Sequence, residues 1–344
     1  MRRIALAAPI LLALLAAAWS AFWLHAAGMI ETGVAEWVET RRAQGLTVEY
    51  ASLAVEGFPF RWRVVIDEPH LAGIGPAQWD WRGDEAAATL QPWARRDIPL
   101  TFSGEHRLSG GTGDLSEMVL VSAARPDGRI MLDEDGRLDR LSLDLGDAII
   151  RHDATPATVS IARLRLEIRP YRRPDPASGA DVLDLAVDAE TVRLPTAPPN
   201  GLGNIINKAH TILSIKGALP PGPLHQSIAA WRDAGGVIDA NRIALRWGPL
   251  EIDGDGTLAL DDDERPLGAF TARIRGYGET IDALAMSGLV RPREAAAAKI
   301  ALNMLARQED PRGARALKIP VTAQDGRLTV AGFPLAQLPA LRFE

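Results

Sequence analysis

The sequence contains no cysteine. This absence excludes disulfide bonds, thiolate metal sites and cysteine nucleophiles together, so the fold must be stabilised by packing and hydrogen bonds alone. It does not fix the compartment, although a chain without thiols suits an oxidising one.

Clusters of basic residues are also missing. The formal net charge is −6, with 38 Lys and Arg against 44 Asp and Glu, and no dense run of Lys or Arg occurs. Nucleic-acid binding depends on clustered cations that release counterions from phosphates. We therefore expect no nucleic-acid partner.

Catalytic motifs are scarce as well. No G-x-S-x-G, S-x-x-K or phosphate-loop motif occurs, and the glycine-rich stretch LSGGTGDLS (108–116) precedes strand-like residues, so we interpret it as a hairpin loop. The six histidines share no H-E-x-x-H or H-x-H spacing. They are His25, His70, His106, His152, His210 and His225.

One acidic stretch resembles a calcium loop. Asp253, Asp255 and Glu264 match its first, third and twelfth positions, but Leu258 stands where that loop needs glycine. We interpret Asp261–Glu264 as an acidic hairpin tip instead. The sequence thus predicts a protein that is not an enzyme and that has no catalytic residues, cofactor or metal site.

A long apolar run is present near the start of the chain. Ile4–Leu24 carries no formal charge and, at about 1.5 Å per helical residue, reaches roughly 31 Å, the thickness of a bilayer core. Arg2 and Arg3 precede it. Aromatic residues typical of a membrane interface lie at its far end: Trp19, Phe22 and Trp23. The run predicts a single membrane span with a cytoplasmic amino terminus.

A cleaved signal peptide is the alternative. Its apolar core is usually about 7 to 15 residues long and ends in a small-x-small site. The run here is longer, and bulky aromatics stand where small residues are needed. We favour a retained anchor in the bacterial inner membrane. Under either alternative the rest of the chain is exported, which predicts a periplasmic body.

The remaining chain is divided by pattern. Residues 1–27 form the predicted anchor and residues 28–45 a short amphipathic helix, which lies along the membrane surface or caps the first strand. Residues 46–344 form the predicted β-rich periplasmic domain, with a sub-boundary near 194–203. In this domain apolar residues alternate with polar ones, as in Leu164–Arg169.

Turn residues separate the predicted strands. Pro126-Asp127-Gly128, Asp135-Gly136 and Asp325-Gly326 are turn signals at short intervals, which favour antiparallel hairpins. Helical spacing occurs in LHQSIAAWRDAGG and in two segments near the carboxyl end, the second beginning at Pro292. The predicted fold is mainly β with a few helices: a transmembrane helix, then an antiparallel curled sheet with a groove or an open sandwich.

The tripeptide Gly-Phe-Pro occurs twice, followed first by Phe60 and then by Leu335. Gly57 favours positive φ and Pro59 fixes its own backbone, so Gly-Phe-Pro-Phe predicts a sharp turn that starts a strand, pinned by burial of both rings. A structural role is the first interpretation, and a ligand or partner contact by the rings is the second. The residues assigned to the motif are Gly57, Phe58, Pro59, Phe60 and Arg61, with Gly332, Phe333 and Pro334 near the end.

Two segments carry a family resemblance. RRAQGLTVEYASLAVEGFPFRWRVVIDEPHL and GYGETIDALAMSG with LKIPVTAQDGRLTVAGFPLAQLP resemble an uncharacterised family of bacterial envelope proteins, domain of unknown function 2125. That family supplies no catalytic residues to transfer. More remotely, a span followed by hairpin strands resembles the AsmA-like proteins, which implies a curled β groove that handles lipid between membranes.

Two functions follow as expectations. The apolar face of such a sheet is covered by other elements, or the sheet curls and leaves a groove in which acyl chains can lie. We therefore expect an inner-membrane-anchored protein that handles phospholipid or another acyl lipid, or serves envelope homeostasis. The alternative is a non-enzymatic scaffold or assembly factor whose partners are envelope proteins.

Overall fold

The fold combines one long helix with an extended antiparallel sheet. The computed structural model describes residues 2–73, 77–112, 117–152, 157–171, 182–217, 220, 224–308 and 315–341. The helices are α1 (Arg2–Ala43), α2 (Leu224–Asp233), α3 (Tyr277–Met286) and α4 (Pro292–Leu305). The strands are β1 (Leu46–Glu49), β2 (Ser52–Glu56), β3 (Trp62–Asp67), β4 (His70–Gly73), β5 (Ala77–Leu90), β6 (Asp97–Thr112), β7 (Glu117–Ser122), β8 (Arg125–Leu132), β9 (Leu138–His152), β10 (Thr158–Tyr171), β11 (Val182–Arg193), β12 (Ile205–Lys216), β13 (Val237–Trp247), β14 (Leu250–Leu260), β15 (Pro266–Arg275), β16 (Arg307–Gln308), β17 (Arg315–Gln324), β18 (Arg327–Val330) and β19 (Phe333–Gln337).

Helix α1 is continuous over 42 residues and joins the predicted anchor to the predicted amphipathic segment. Its part Ile10–Ala43 contains an 18-residue window with a mean hydropathy of 1.8, which makes the helix long and apolar enough to cross a membrane. In its second half a stripe of apolar side chains contacts the first strands, so this half caps the sheet. The stripe consists of Trp23, Ala27, Ile30, Val34 and Val38.

The described strands form one continuous antiparallel ribbon. At its first end, β2 leads through β3 to β5, and β1 leads through β4 to the same β5. The ribbon continues through β6, the short β7 and β8, and β9. It then follows chain order from β10 to β15 and ends with β17, β18 and β19. The predicted mainly β fold is confirmed.

Most turn predictions are confirmed. Residues 133–137 connect β8 to β9, 261–265 connect β14 to β15, and Asp325-Gly326 connects β17 to β18. The predicted turn Pro126-Asp127-Gly128 is wrong, because these residues pair on both sides inside β8. The stretch LSGGTGDLS is only partly described: its first five residues belong to β6, and 113–116 lie outside the described residues.

The three shorter helices connect strands of the ribbon. All three correspond to predicted helical segments, and Pro292 opens α4 as expected. Residues 194–204 connect the paired strands β11 and β12, with the Leu194 N–H donating to the Asn204 carbonyl at 2.8 Å. Gly201 in this loop lies so close to Ala283 of α3 that a Cβ there would be 2.4 Å from the Ala283 carbonyl oxygen.

The buried core is thin. No large side chain among the described residues is less than 2% exposed. One buried cluster joins Leu145, Ala148, Ile161 and Ala189 on neighbouring strands, and the other joins Trp23 and Ala27 of α1 to Trp62 of β3. Each cluster therefore joins elements that are neighbours in the fold.

Candidate functional site

The Gly-Phe-Pro-Phe residues form the loop between β2 and β3. Gly57 has a φ of 97°, which glycine adopts without strain, as the sequence predicted. The Phe58–Pro59 peptide bond is cis, and the Arg61 N–H donates to the Gly57 carbonyl at 3.2 Å. The chain reverses within this loop, because β2 pairs antiparallel with β3, which starts at Trp62.

Helix α1 holds this loop through its indole rings. Trp19 Nε1 donates to the Pro59 carbonyl at 2.8 Å, and Trp23 Nε1 donates to the Arg61 carbonyl at 3.0 Å. In the opposite direction, Trp62 Nε1 of β3 donates to the Trp23 carbonyl of α1 at 3.2 Å. The indole rings of Trp23 and Trp62 also stack, with their centroids 6.4 Å apart. The helix and the first strands are thus joined by a hydrogen-bonded aromatic cluster.

The phenylalanine rings of the loop are largely exposed. Phe58 contacts Trp23 edge-on at 5.5 Å but is 55% exposed, and Phe60 is 67% exposed. The prediction that both rings are buried is wrong. The residue that packs against α1 is instead Trp62, which is 6% exposed. The turn is therefore fixed by indole N–H groups that donate to loop carbonyls, and not by burial of the phenylalanine rings.

The second motif lies at the other end of the ribbon. Gly332 has a φ of 84° and precedes β19, so it also opens a strand after a sharp turn. Phe333 is 76% exposed. The structure does not bring the two motifs together, since β2 and β19 are at opposite ends of the pairing order.

A central apolar row crosses the sheet. Directly paired residues of an antiparallel sheet lie on the same face, and the strand registers place one small, apolar or threonine residue from each of thirteen strands in a continuous line. At roughly 4.8 Å per strand the row is about 58 Å long. It consists of Val55, Val64, Ala88, Leu100, Gly128, Leu143, Leu166, Val187, Thr211, Ile243, Gly254, Ala272 and Ile319.

Apolar rows flank the central row on both sides. One contains Leu145, Leu164, Ala189, Ala209, Leu245, Ile252, Ile274 and Leu317. The other contains Ile98, Ile130, Leu141, Ile168, Leu185, Leu213, Ala240, Gly256, Phe270, Val321, Val330 and Phe333. Most of these large side chains are half-buried, and Ile243 of the central row is 37% exposed. This face, called here the apolar face, therefore retains open apolar surface.

Helix α1 covers only the start of the apolar face. Its residues Trp23 and Ala27 contact Val55 of the central row and Leu90 of β5. The apolar face thus begins at the joint between the helix and the sheet and continues away from it.

The opposite face carries ion pairs. Asp144 accepts hydrogen bonds from Arg163 and Arg165, at 3.1 Å from each Nε. The Arg163 hydrogen bond is the main cause that holds the pKa of Asp144 below its ordinary value, against the opposing effect of burial. On the same face His210 Nδ1 lies 2.9 Å from Asp188. The charges neutralise one another along the sheet.

A concavity of about 280 Å³ lies on this charged face. Arg242 pairs with Asp253 at 2.8 Å, and Arg246 pairs with Glu251 at 3.2 Å within its lining. Since these charges already satisfy each other, the arrangement supports the sheet and offers no concentrated charge to a ligand.

Each of the three residues of the calcium-like pattern pairs with a different arginine. Asp253 and Asp255 lie within β14, paired with Arg242 and with Arg273 at 3.6 Å, whereas Glu264 lies in the hairpin tip, 3.7 Å from Arg232. Within the described part of the chain, no three His, Asp or Glu side chains form a group that could hold a metal ion.

One histidine, His106, lies in apolar surroundings. His106 stacks on Trp81 at 5.8 Å and meets Phe102 edge-on at 5.7 Å. Both ring nitrogens are buried without a hydrogen-bond partner among the described residues. Burial lowers the pKa of His106, although the nearby Asp84 carboxylate opposes that shift. The ring therefore acts as part of an aromatic stack on β5 and β6.

Two features of the site were missed from the sequence. The aromatic end of the apolar run was interpreted as a membrane-interface belt, but its indole N–H groups also bond to the loop after β2. The apolar rows were invisible because they depend on the register between strands. Alternating residues in each strand gave the only available signal.

Comparison with known proteins identifies the family. No curated protein and no solved structure matches the chain. Residues 23–339 match a family described as an uncharacterized protein conserved in bacteria, domain of unknown function 2125. The match begins at Trp23, so it includes the second half of α1 and nearly all of the sheet. The chain belongs to this bacterial family, as the resemblance of its two end segments predicted.

Proposed function

We propose that the protein is a non-enzymatic, membrane-anchored lipid-handling protein whose apolar face holds acyl chains. The observation that carries the proposal is the central apolar row, which crosses thirteen strands while its larger residues stay half-buried. Removing such a surface from water is favourable by about 25 cal/mol per Å², or about 0.8 kcal/mol per CH₂ of an acyl chain.

A lipid suits this face better than a protein strand does. A strand binds to the edge of a sheet through backbone hydrogen bonds, whereas the open surface here is a face of side chains. The face also starts beside α1, the candidate membrane span, so its first occupant would be membrane lipid. The remote resemblance to AsmA-like proteins is consistent with this occupant.

The proposal includes a retained anchor. Trp19 and Trp23 donate hydrogen bonds to the loop after β2. Removal of the apolar run as a signal peptide would therefore remove contacts that hold this loop. Arg2 and Arg3 precede the run, and positive flanks favour a cytoplasmic amino terminus. The sheet then lies in the periplasm of a bacterial envelope.

Site-specific photo-cross-linking in living cells tests the lipid. A photoreactive residue at Leu166 or Ile243 samples the apolar face, and one at the adjacent Arg165 or Arg242 samples the charged face as a matched control. We expect lipid adducts at the first two positions and none at the controls. Equal labelling of both faces, or protein adducts alone at Leu166, would contradict the proposal.

A scaffold or assembly role is the second candidate, and one observation favours it. The helices α3 and α4 and the turn between them expose four large apolar side chains, which is a typical property of protein interfaces. They are Met286 (84% exposed), Leu289 (58%), Ile300 (59%) and Met304 (80%). Protein cross-links from these positions, together with no lipid at Ile243, would favour this candidate.

A further inference from the structure

The loop after β2 is fixed at a defined level of helix α1. The Pro59 carbonyl accepts its hydrogen bond from Trp19, while the apolar run continues to Leu24. Five residues of helix correspond to roughly 7 Å along its axis, so the loop lies beside the last part of the run. A bilayer that covers Leu24, which is 65% exposed, therefore reaches the loop as well.

The outer surface of the loop is aromatic. Phe58 and Phe60 are 55% and 67% exposed, and Phe22 on the neighbouring turn of α1 is 51% exposed. Phenylalanine, like tryptophan and leucine, is typical of the apolar surface of segments that lie in a membrane interface. These three rings would present one apolar surface to lipid.

Part of the loop backbone is already hydrogen-bonded within the protein. The carbonyls of Gly57, Pro59 and Arg61 each accept a hydrogen bond, and Pro59 has no N–H to satisfy. The Arg61 side chain is exposed, and no carboxylate in the described part of the chain forms a salt bridge with it. A cationic side chain beside rings that enter a bilayer suits the phosphate layer.

Exposed phenylalanine alone would not justify this inference. Phe333 of the second motif is even more exposed, at 76%, but the ring lies on the last strand of the ribbon, away from α1. The fixed position beside the candidate span distinguishes the first loop. Because Phe333 also lies in a flanking row of the apolar face, the control position is Arg242 on the charged face, whose side chain is 56% exposed.

We propose that the Gly57–Arg61 loop inserts Phe58 and Phe60 into the interfacial layer of the bilayer, so that the apolar face starts in contact with membrane lipid. The inference rests on the proposed anchor. It does not require that the apolar face binds lipid, and it specifies a lipid surface as the partner of the loop.

Single-cysteine labelling of the full chain tests the loop, since the chain has no cysteine of its own. The variants Phe60→Cys, Leu14→Cys and Arg242→Cys each carry an environment-sensitive fluorophore. They are placed in phospholipid vesicles that contain nitroxide lipids with the quencher near the headgroup or deep in the chain. We expect the shallow quencher to remove most emission at position 60 and the deep quencher to do so at 14. Position 242, on the charged face, should respond only to aqueous iodide.

The outcomes separate the two proposals. Quenching at 14 without quenching at 60 overturns the loop insertion and leaves the anchor supported. No quenching at 14 overturns the anchor and the loop together. A label at 60 that is shielded from lipid and iodide alike shows that protein covers the loop, which also overturns insertion.

Discussion

The two ends of the sheet contain the same three residues in different surroundings. Gly57-Phe58-Pro59 is held by indoles of α1, whereas Gly332-Phe333-Pro334 begins within the hairpin turn between β18 and β19. Both glycines have positive φ, and each motif opens a strand. The motif therefore makes a turn at either end, but only the contacts with α1 give that turn a fixed place relative to the candidate membrane span.

The largest expected difference between the ends is in stability. Trp62→Ala removes a side chain that is 6% exposed and stacked on Trp23, so we expect a loss of about 3–5 kcal/mol in the free energy of unfolding. Phe333→Ala removes a ring that is 76% exposed, and its effect should stay within about 0.5 kcal/mol. Denaturant unfolding of the full chain in detergent, followed by the β-sheet circular dichroism, measures both. Equal losses would show that the contacts between Trp62 and α1 add nothing to the free energy of unfolding.

A smaller difference is expected from the two glycines. A Cβ at Gly57 would lie 2.7 Å from Arg61 Cγ and 2.9 Å from the Arg61 carbonyl oxygen, whereas a Cβ at Gly332 meets nothing within 4 Å. Both alanine variants bear the backbone strain of positive φ, about 1–2 kcal/mol. Gly57→Ala must in addition displace Arg61.

Unfolding midpoints of the two glycine variants provide the measurement. We expect the Gly57→Ala chain to unfold at a lower denaturant concentration than the Gly332→Ala chain. A Gly332→Ala variant that is equally destabilised would show that backbone strain alone sets both costs, and that the close contact with Arg61 is relieved without loss.

The sequence predicted local features well because those features depend on neighbouring residues. The apolar run, the alternation in β10 and the Asp325-Gly326 turn are all set within a few residues. The prediction failed for Pro126-Asp127-Gly128, where turn composition and tertiary packing disagree. A Cβ at Gly128 would lie 3.0 Å from Leu100 Cβ and 3.1 Å from Phe102 Cε2, so this glycine permits close packing on the apolar face.

The candidate site was only partly predictable for the same reason. Gly57 and Pro59 indicate a turn by themselves, but the partners of that turn, Trp19 and Trp23, are about forty positions away in the chain. The central apolar row depends on twelve strand registers at once, and one-residue slips would reverse the face of each side chain. No local pattern specifies them.

The smallest expected effect concerns the first end of the sheet at low pH. Burial raises the pKa of Asp80, but hydrogen bonds from His70, with its Nε2 2.8 Å from the carboxylate, and from Arg82 outweigh burial and hold the pKa below its ordinary value of 3.8. A carboxyl group whose pKa is lower in the folded state stabilises the fold above its unfolded pKa, and that contribution is lost as the pH falls through the folded value. Asp80→Asn should therefore lower the unfolding midpoint at neutral pH and leave a smaller difference from the parent chain below about pH 3. Denaturant titrations of both chains across this range measure the difference, and a gap that stays constant with pH would show that the ionised carboxylate contributes nothing to holding β4 and β5 together.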